Sequence, residues 1–71
     1  MNEARRESAD HALCGYDFGA AVADCGTWEV DGDVWSCEVF VENENEDSSI
    51  INFTVWFVPG TSEVSKVDSH S

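Results

Sequence analysis

Acidic side chains are the residues of this sequence whose number and spacing most clearly suggest a chemistry. Fifteen Asp and Glu residues stand against three Lys and Arg, which gives a formal net charge of −12 over 71 residues. Repulsion among so many like charges costs stability and drives the chain away from nucleic acid and from anionic membranes. Strongly basic protein surfaces mostly exist to hold nucleic acid. The composition therefore predicts a basic nucleic-acid-binding protein as the partner, with no direct binding to nucleic acid or to a membrane.

Metal binding is another use of closely spaced acids, and the spacing here does not favour it. Glu29, Asp31 and Asp33 resemble the first ligands of an EF-hand calcium loop. A glycine, however, falls at the fourth place of that loop instead of the sixth, and Phe40 occupies the twelfth place instead of Glu. The sequence has no Cys-x-x-Cys pair, the usual spacing of zinc ligands. We therefore predict neither a metal nor a cofactor.

Groups for nucleophilic catalysis are scarce. The two histidines are His11, on a predicted helix, and His70, in a polar C-terminal segment. No Gly-x-Ser-x-Gly motif and no phosphate-binding glycine loop occurs. The sequence predicts a protein that is not an enzyme.

The cysteine count and the N-terminal residues bear on location. Three cysteines, an odd number, fit a reducing compartment better than a disulfide framework. The charged first residues lack the apolar run of a secretion signal. We expect a cytoplasmic protein in which Cys37 is an inert core thiol, and the pairing of Cys25 with Cys37 stays open.

Two nine-residue segments, 34–42 and 50–58, carry the strongest structural pattern. Both alternate apolar and polar residues with period two and are rich in β-branched and aromatic types, which is typical of half-buried strands. Placing Glu42 opposite Ile50 would pair Trp35 with Phe57 and build one apolar face. The residues of that inner face are Trp35, Cys37, Val39, Val41, Ile51, Phe53, Val55 and Phe57.

The remaining segments complete an α+β fold. An apolar stripe predicts a helix over about 3–25, with an interruption at Gly15–Gly19 left open. A short strand, 27–31, would join the next one through an Asp31-Gly32 turn that sets Trp28 opposite Trp35. We predict an N-terminal helix packed on a three-stranded antiparallel meander (27–31, 34–42 and 50–58). Residues 1–60 would form this single domain, and 61–71 a flexible polar tail.

These elements place the acids on two surfaces. The predicted partner-binding surface is the sheet face turned away from the helix, with its loops. It comprises Glu29, Asp31, Asp33, Glu38, Phe40, Glu42, Glu44, Glu46, Asp47 and Trp56. Phe40 and Trp56 would be aromatic anchors within a charged rim, as in an interface hot spot, unless the tail or a second copy covers them. We expect a monomer. A secondary acidic stripe on the helix comprises Glu3, Glu7, Asp10, Asp17 and Asp24.

In size, charge and element order, the whole chain resembles the DNA-mimic anti-CRISPR proteins of phages and mobile elements, and is similar to a type I-C inhibitor of that layout. The resemblance implies that the partner is the large subunit of the Cascade surveillance complex. The protein would occupy the basic site that reads the protospacer-adjacent motif, and so block recruitment of target DNA. Two other interpretations stay open: a small acidic protein adapted to high salt, and an acidic antitoxin covering a basic toxin.

Overall fold

A computed structural model describes residues 2–19, 21–25, 27–42 and 48–70, with the backbone alone described at 2, 21, 23–25 and 48. An N-terminal helix packs on an antiparallel sheet, which confirms the predicted α+β class with more strands than three. The elements are α1 (Asn2–Cys14), β1 (Ala21–Cys25), β2 (Glu29–Asp31), β3 (Val34–Glu42), β4 (Ser48–Phe57) and β5 (Val64–His70).

Strand β3 organises the sheet. β4 pairs along the whole of β3, and β5 pairs with the far side of β4. β1 pairs with residues 39–42 of β3 and β2 with residues 34–36, so these two short strands follow one another along the same edge. All four pairings are antiparallel. The sheet therefore has four strand positions, with β5 at the edge opposite β1 and β2.

The predicted register of β3 with β4 is wrong by two residues. Trp35 lies opposite Val55 instead of Phe57, and Glu42 lies opposite Ser48 instead of Ile50. A shift of two leaves every side chain on its own face, so the alternating pattern fixes the face of a residue but not its partner. The buried residues Trp35, Val39 and Phe53 accordingly all lie on the predicted inner face.

The β2–β3 connection is a two-residue hairpin turn, again two residues from the predicted pairing. Val30 lies opposite Trp35 and Asp31 opposite Val34, which makes Gly32 and Asp33 the turn residues. Gly32 has φ +60°, the left-handed conformation that tight hairpin turns require. Trp28 still reaches Trp35 diagonally, with ring centroids 6.3 Å apart.

The predicted helix over 3–25 is wrong beyond Cys14. The Gly15 N–H donates to the His11 carbonyl at 3.1 Å, which closes the last turn of α1. Asp17 then accepts a hydrogen bond from the Gly19 N–H at 2.9 Å, and Gly19 takes φ +73° to reverse the chain. Residues 21–25 form β1 because pairing with β3 overrides the moderate helix propensity of an Ala-rich segment.

The segment predicted as a flexible tail contains β5. Val67 lies opposite Val55 and Val64 opposite Phe57, so both valines face the core. Their separation of three residues is incompatible with a regular strand, in which same-face residues are an even number apart. A bulge between Trp56 and Phe57 in the β4–β5 register absorbs the extra residue. This irregularity hides the strand from a period-two search.

The core lies between α1 and the inner face of the sheet. Ala9 is fully buried, which lets the helix approach the strands closely. Phe53, also fully buried, contacts the rings of Tyr16 and Phe18 at centroid distances of 5.3 and 5.7 Å. The Ser69 hydroxyl donates to the Tyr16 hydroxyl at 2.9 Å and joins the segment that follows α1 to β5. The buried apolar residues are Ala9, Trp35, Cys37, Val39, Val41, Phe53, Val55 and Phe57.

Candidate partner-binding surface

The sheet face opposite α1, which we call the outer face, is where most of the predicted partner-binding residues lie. Within the described residues the helix packs on the inner face, so the outer face is left open. Its side chains come from the alternate positions of the strands. They include Glu29, Asp31, Ser36, Glu38, Phe40, Glu42, Ile50, Asn52, Thr54, Trp56, Lys66, Asp68 and His70.

Phe40 is the exposed aromatic residue of this face. Phe40 is 44% exposed, and its cross-strand neighbour Ile50 is 50% exposed. Glu38 and Glu42, both exposed, lie two residues to either side on β3, at about 6.8 Å from Phe40 along the strand. The result is an apolar pair bordered by carboxylates, the composition expected of an interface centre with a charged rim.

A cleft opens on the outer face where the sheet edge passes from β1 to β2. β1 stops pairing at Val39 and β2 begins at Ser36, which leaves a gap along this edge of β3. The residues that line the cleft are Thr27, Glu29, Ser36, Cys37, Glu38, Phe40 and Asn52. Two acidic residues and one aromatic residue thus line the same depression.

Trp56 lies on the outer face as predicted but is half-buried. The ammonium nitrogen of Lys66, its neighbour on β5, lies 4.9 Å from the centroid of a Trp56 ring. The alternative in which the C-terminal segment covers this aromatic residue is therefore the one observed. Trp56 is less available to a partner than Phe40.

Asp33, predicted as a partner-binding residue, is engaged within the protein. The Arg5 guanidinium donates to an Asp33 carboxylate oxygen at 2.9 Å and to the Gly32 and Thr61 carbonyls at 3.2 and 2.8 Å. It also lies over the Phe57 ring, at 4.9 Å from the centroid. Arg5 is 7% exposed, a buried cation that the sequence analysis did not single out. Arg5 lies four residues before Ala9, on the buried stripe of α1. This spacing could have identified it as a buried residue.

The predicted acidic stripe ends where α1 ends. Glu3, Glu7 and Asp10 are exposed on the helix, and Asp10 accepts a 2.9 Å hydrogen bond from the Trp28 indole. Asp17 lies in the turn that follows, and residue 24 belongs to β1, so five acids in one helical row are not observed. The side chain of Asp24 is outside the described part of the structure. The predicted binding residues Glu44, Glu46 and Asp47 also lie outside it.

Cys37 is not the inert core thiol that we expected. Cys37 is 4% exposed and disulfide-bonded, whereas Cys14 is a free, exposed thiol. The question of Cys25 pairing with Cys37 concerns a side chain outside the described part of the structure. Because disulfides are rare in reducing compartments, the bond at Cys37 does not support the expectation of a reducing location.

Neither metal-binding residues in the described structure nor similarity to known proteins indicates a function. Over the described ranges, no three His, Cys, Asp or Glu side chains converge closely enough to hold a metal ion. In the same ranges, no helix combines the length and apolar character needed to cross a membrane. Comparison of the chain with protein-family models, curated proteins and solved structures finds no match.

Proposed function

We propose that this protein is a non-catalytic acidic inhibitor that occupies a basic nucleic-acid-binding surface of another protein. The observation that carries the proposal is the open outer face, where the exposed pair Phe40 and Ile50 is bordered by the exposed acids Glu38 and Glu42. Charge complementarity selects a basic partner and speeds its encounter. The apolar pair supplies the contact area that charge alone does not provide.

Competition with nucleic acid is the expected mode of action, although the described acids are sparser than phosphates. Glu38 and Glu42 are four residues apart on β3, or about 13 Å. A DNA strand places one phosphate about every 3.4 Å along its axis. The outer face would therefore contact the basic residues of the partner that otherwise bind DNA. Its charges would do so at a wider spacing than that of the phosphates. Counterions leave both surfaces on binding, so affinity falls as salt rises.

The large subunit of a type I Cascade complex, with the I-C subtype first, is the partner we propose on the strength of the resemblance in size, charge and element order. Occupying the site that reads the protospacer-adjacent motif would keep target DNA from being recruited. A tagged protein is used to capture purified Cascade in the presence of increasing duplex DNA that carries the motif. We expect capture to fall as duplex rises. If no amount of duplex reduces capture, the protein and the DNA do not share a binding site on Cascade.

Matched charge variants locate the surface used. Glu38→Lys with Glu42→Lys changes the net charge by +4 on the outer face, and Glu3→Lys with Glu7→Lys makes the same change on α1. All four side chains are exposed, so far-UV circular dichroism should stay native in both variants. We expect the outer-face variant to lose capture and the α1 variant to retain most of it. Equal loss in both would show that net charge, and not the outer face, drives binding.

A second candidate function follows from the exposed acids of α1. Glu3 and Glu7 are exposed on the helix, in the layer opposite the outer face. A partner with one flat surface cannot contact both the helix layer and the outer face. Acids exposed on both layers suit a protein that binds water and ions at high salt. This candidate predicts that folding itself requires salt, a dependence that the proposed inhibitor does not need.

A cytoplasmic location is part of the inhibitor proposal, because nucleic-acid-binding complexes of this kind work in the cytoplasm. The location is tested by taking the protein directly from cells, denaturing it in the presence of an alkylating reagent, and counting the thiols that react. We expect three titratable thiols, the full cysteine count of the sequence, if the protein is kept in a reducing compartment. One thiol would mean that the bond at Cys37 forms in the cell, and the cytoplasmic assignment would fall.

A further inference from the structure

We propose that the outer-face cleft beside Phe40 binds an arginine side chain of the basic partner. This assignment rests on the proposed function and names the group that the surface recognises. The residues that line the cleft include Phe40, the acids Glu29 and Glu38, and the amide residue Asn52. A flat cation that can stack on the ring and donate hydrogen bonds to several carboxylate oxygens fits this set of groups.

The protein already binds cations on aromatic rings in two other places. The guanidinium carbon of Arg5 lies 4.9 Å from the Phe57 centroid while the same group pairs with Asp33. The Lys66 ammonium lies at the same distance, 4.9 Å, from a Trp56 ring. The Arg5 site in particular joins an aromatic ring to a carboxylate, the pair of groups that Phe40 and Glu38 present in the cleft.

None of the three Lys and Arg side chains, all of which lie in the described part of the structure, stacks on the Phe40 ring. The sequence contains three Lys and Arg residues. Arg5 is buried at Phe57, Lys66 covers Trp56, and Arg6 is exposed on α1, in the layer opposite the outer face. In the described structure the cation–ring contacts are those at Phe57 and Trp56. A Lys or Arg side chain stacked on Phe40 would therefore come from another molecule.

Arginine fits the cleft better than lysine for two reasons. Its planar guanidinium stacks on a ring while its edge still donates to carboxylates, as Arg5 does between Phe57 and Asp33. It is also more weakly hydrated than an ammonium, so less hydration free energy is lost on entering a cleft. The carboxylates of Glu29 and Glu38 would accept its hydrogen bonds, and the Asn52 amide oxygen is a further acceptor.

Two short peptides of equal charge test the assignment. The ¹⁵N-labelled protein is titrated with tri-arginine amide and with tri-lysine amide at the same ionic strength. We expect tri-arginine to bind about two- to five-fold more tightly, because it gains stacking on the ring. The largest shifts should fall at Glu38, Phe40 and Asn52. Phe40→Leu should abolish the preference for arginine, and Ile50→Leu, at the exposed neighbour, should preserve it.

The outcomes separate this assignment from the proposed function. Equal affinity for the two peptides, or shifts centred on α1, would overturn the arginine assignment even if Cascade were captured. An arginine preference that disappears in Phe40→Leu would support it, and failure of Cascade capture alongside would then remove only the proposed partner. Glu38→Gln should weaken both peptides, and an unchanged affinity in that variant would also overturn the assignment.

Discussion

Arg5 and Asp33 form an ion pair that joins the first turns of α1 to the β2–β3 turn, with 2.9 Å between the guanidinium nitrogen and the carboxylate oxygen. The same guanidinium donates to the Thr61 carbonyl in the β4–β5 connection at 2.8 Å. One side chain thereby connects the helix to two loops at the same end of the sheet. Its stacking on Phe57 places this link directly over the core.

Replacing Arg5 with Ala should destabilise the fold far more than replacing its neighbour. The variant loses hydrogen bonds from a charged donor, and hydrogen bonds to charged groups contribute about 1.5–3 kcal/mol each. Because Asp33 is 45% exposed and can be rehydrated, we expect a total loss of about 2–3 kcal/mol. Urea denaturation followed by tryptophan fluorescence measures it.

Arg6→Ala is the matched control for this variant. It removes the same charge one residue away, from a side chain that is exposed, and should change stability by less than about 0.5 kcal/mol. Similar midpoints for the two variants would show that the Arg5 contacts contribute no more than the charge itself.

The C-terminal strand gives a prediction that separates the observed fold from a loose tail. Val67 faces the core opposite the fully buried Val55, and the adjacent Asp68 faces outward. Val67→Asp places a carboxylate against apolar side chains and should cost about 1–3 kcal/mol. Asp68→Asn should be close to neutral. Thermal unfolding compares the two, and a native melting temperature for Val67→Asp would mean that β5 does not dock in solution.

Sequence reasoning succeeded where periodicity alone decides the outcome and failed where long-range pairing decides it. The strict alternation of β3 identified its buried residues, including Trp35 and Val39. The local sequence does not determine which residue of the neighbouring strand lies opposite. The predicted pairing of β3 with β4 was therefore two residues from the observed one. Ala21–Cys25 forms a strand only because β3 offers a free edge to it, and β5 is hidden by its bulge. These features exist only in the assembled sheet.

The candidate site was predictable to the extent that it lies on regular strands. The alternation placed Phe40 and Glu38 on an uncovered face, and both are exposed there. The covering of Trp56 depends on Lys66, which the sequence assigned to the tail. The engagement of Asp33 depends on Arg5, 28 residues away. Electrostatic partners distant in the chain cannot be identified from charge composition.

Two glycine substitutions should change stability in opposite directions. Gly32 has φ +60°, and a Cβ added there would meet no atom within 4 Å, so Gly32→Ala meets only backbone strain, about 1–2 kcal/mol. Gly15→Ala places its Cβ 3.5 Å from the His11 carbonyl oxygen, an ordinary contact. It should stabilise by about 0.4–1 kcal/mol by restricting the unfolded chain. Thermal melts of both variants provide the measurement, and destabilisation by Gly15→Ala would argue against the observed end of α1.

Salt dependence of folding distinguishes the proposed inhibitor from a protein adapted to high salt. The net charge of −12 creates self-repulsion, which acts over a Debye length of about 30 Å at 0.01 M salt but only about 8 Å at 0.15 M. Neither the core nor the Arg5 link requires dissolved ions, so we expect a cooperative fold at both concentrations. The melting temperature at 0.01 M should be lower by about 4–8 °C, equivalent to about 1 kcal/mol. Glu3→Gln with Glu7→Gln removes two exposed charges and should reduce that difference. A chain that folds only in molar salt would contradict the inhibitor proposal, because its acids would then serve the fold by binding water and ions and not a partner.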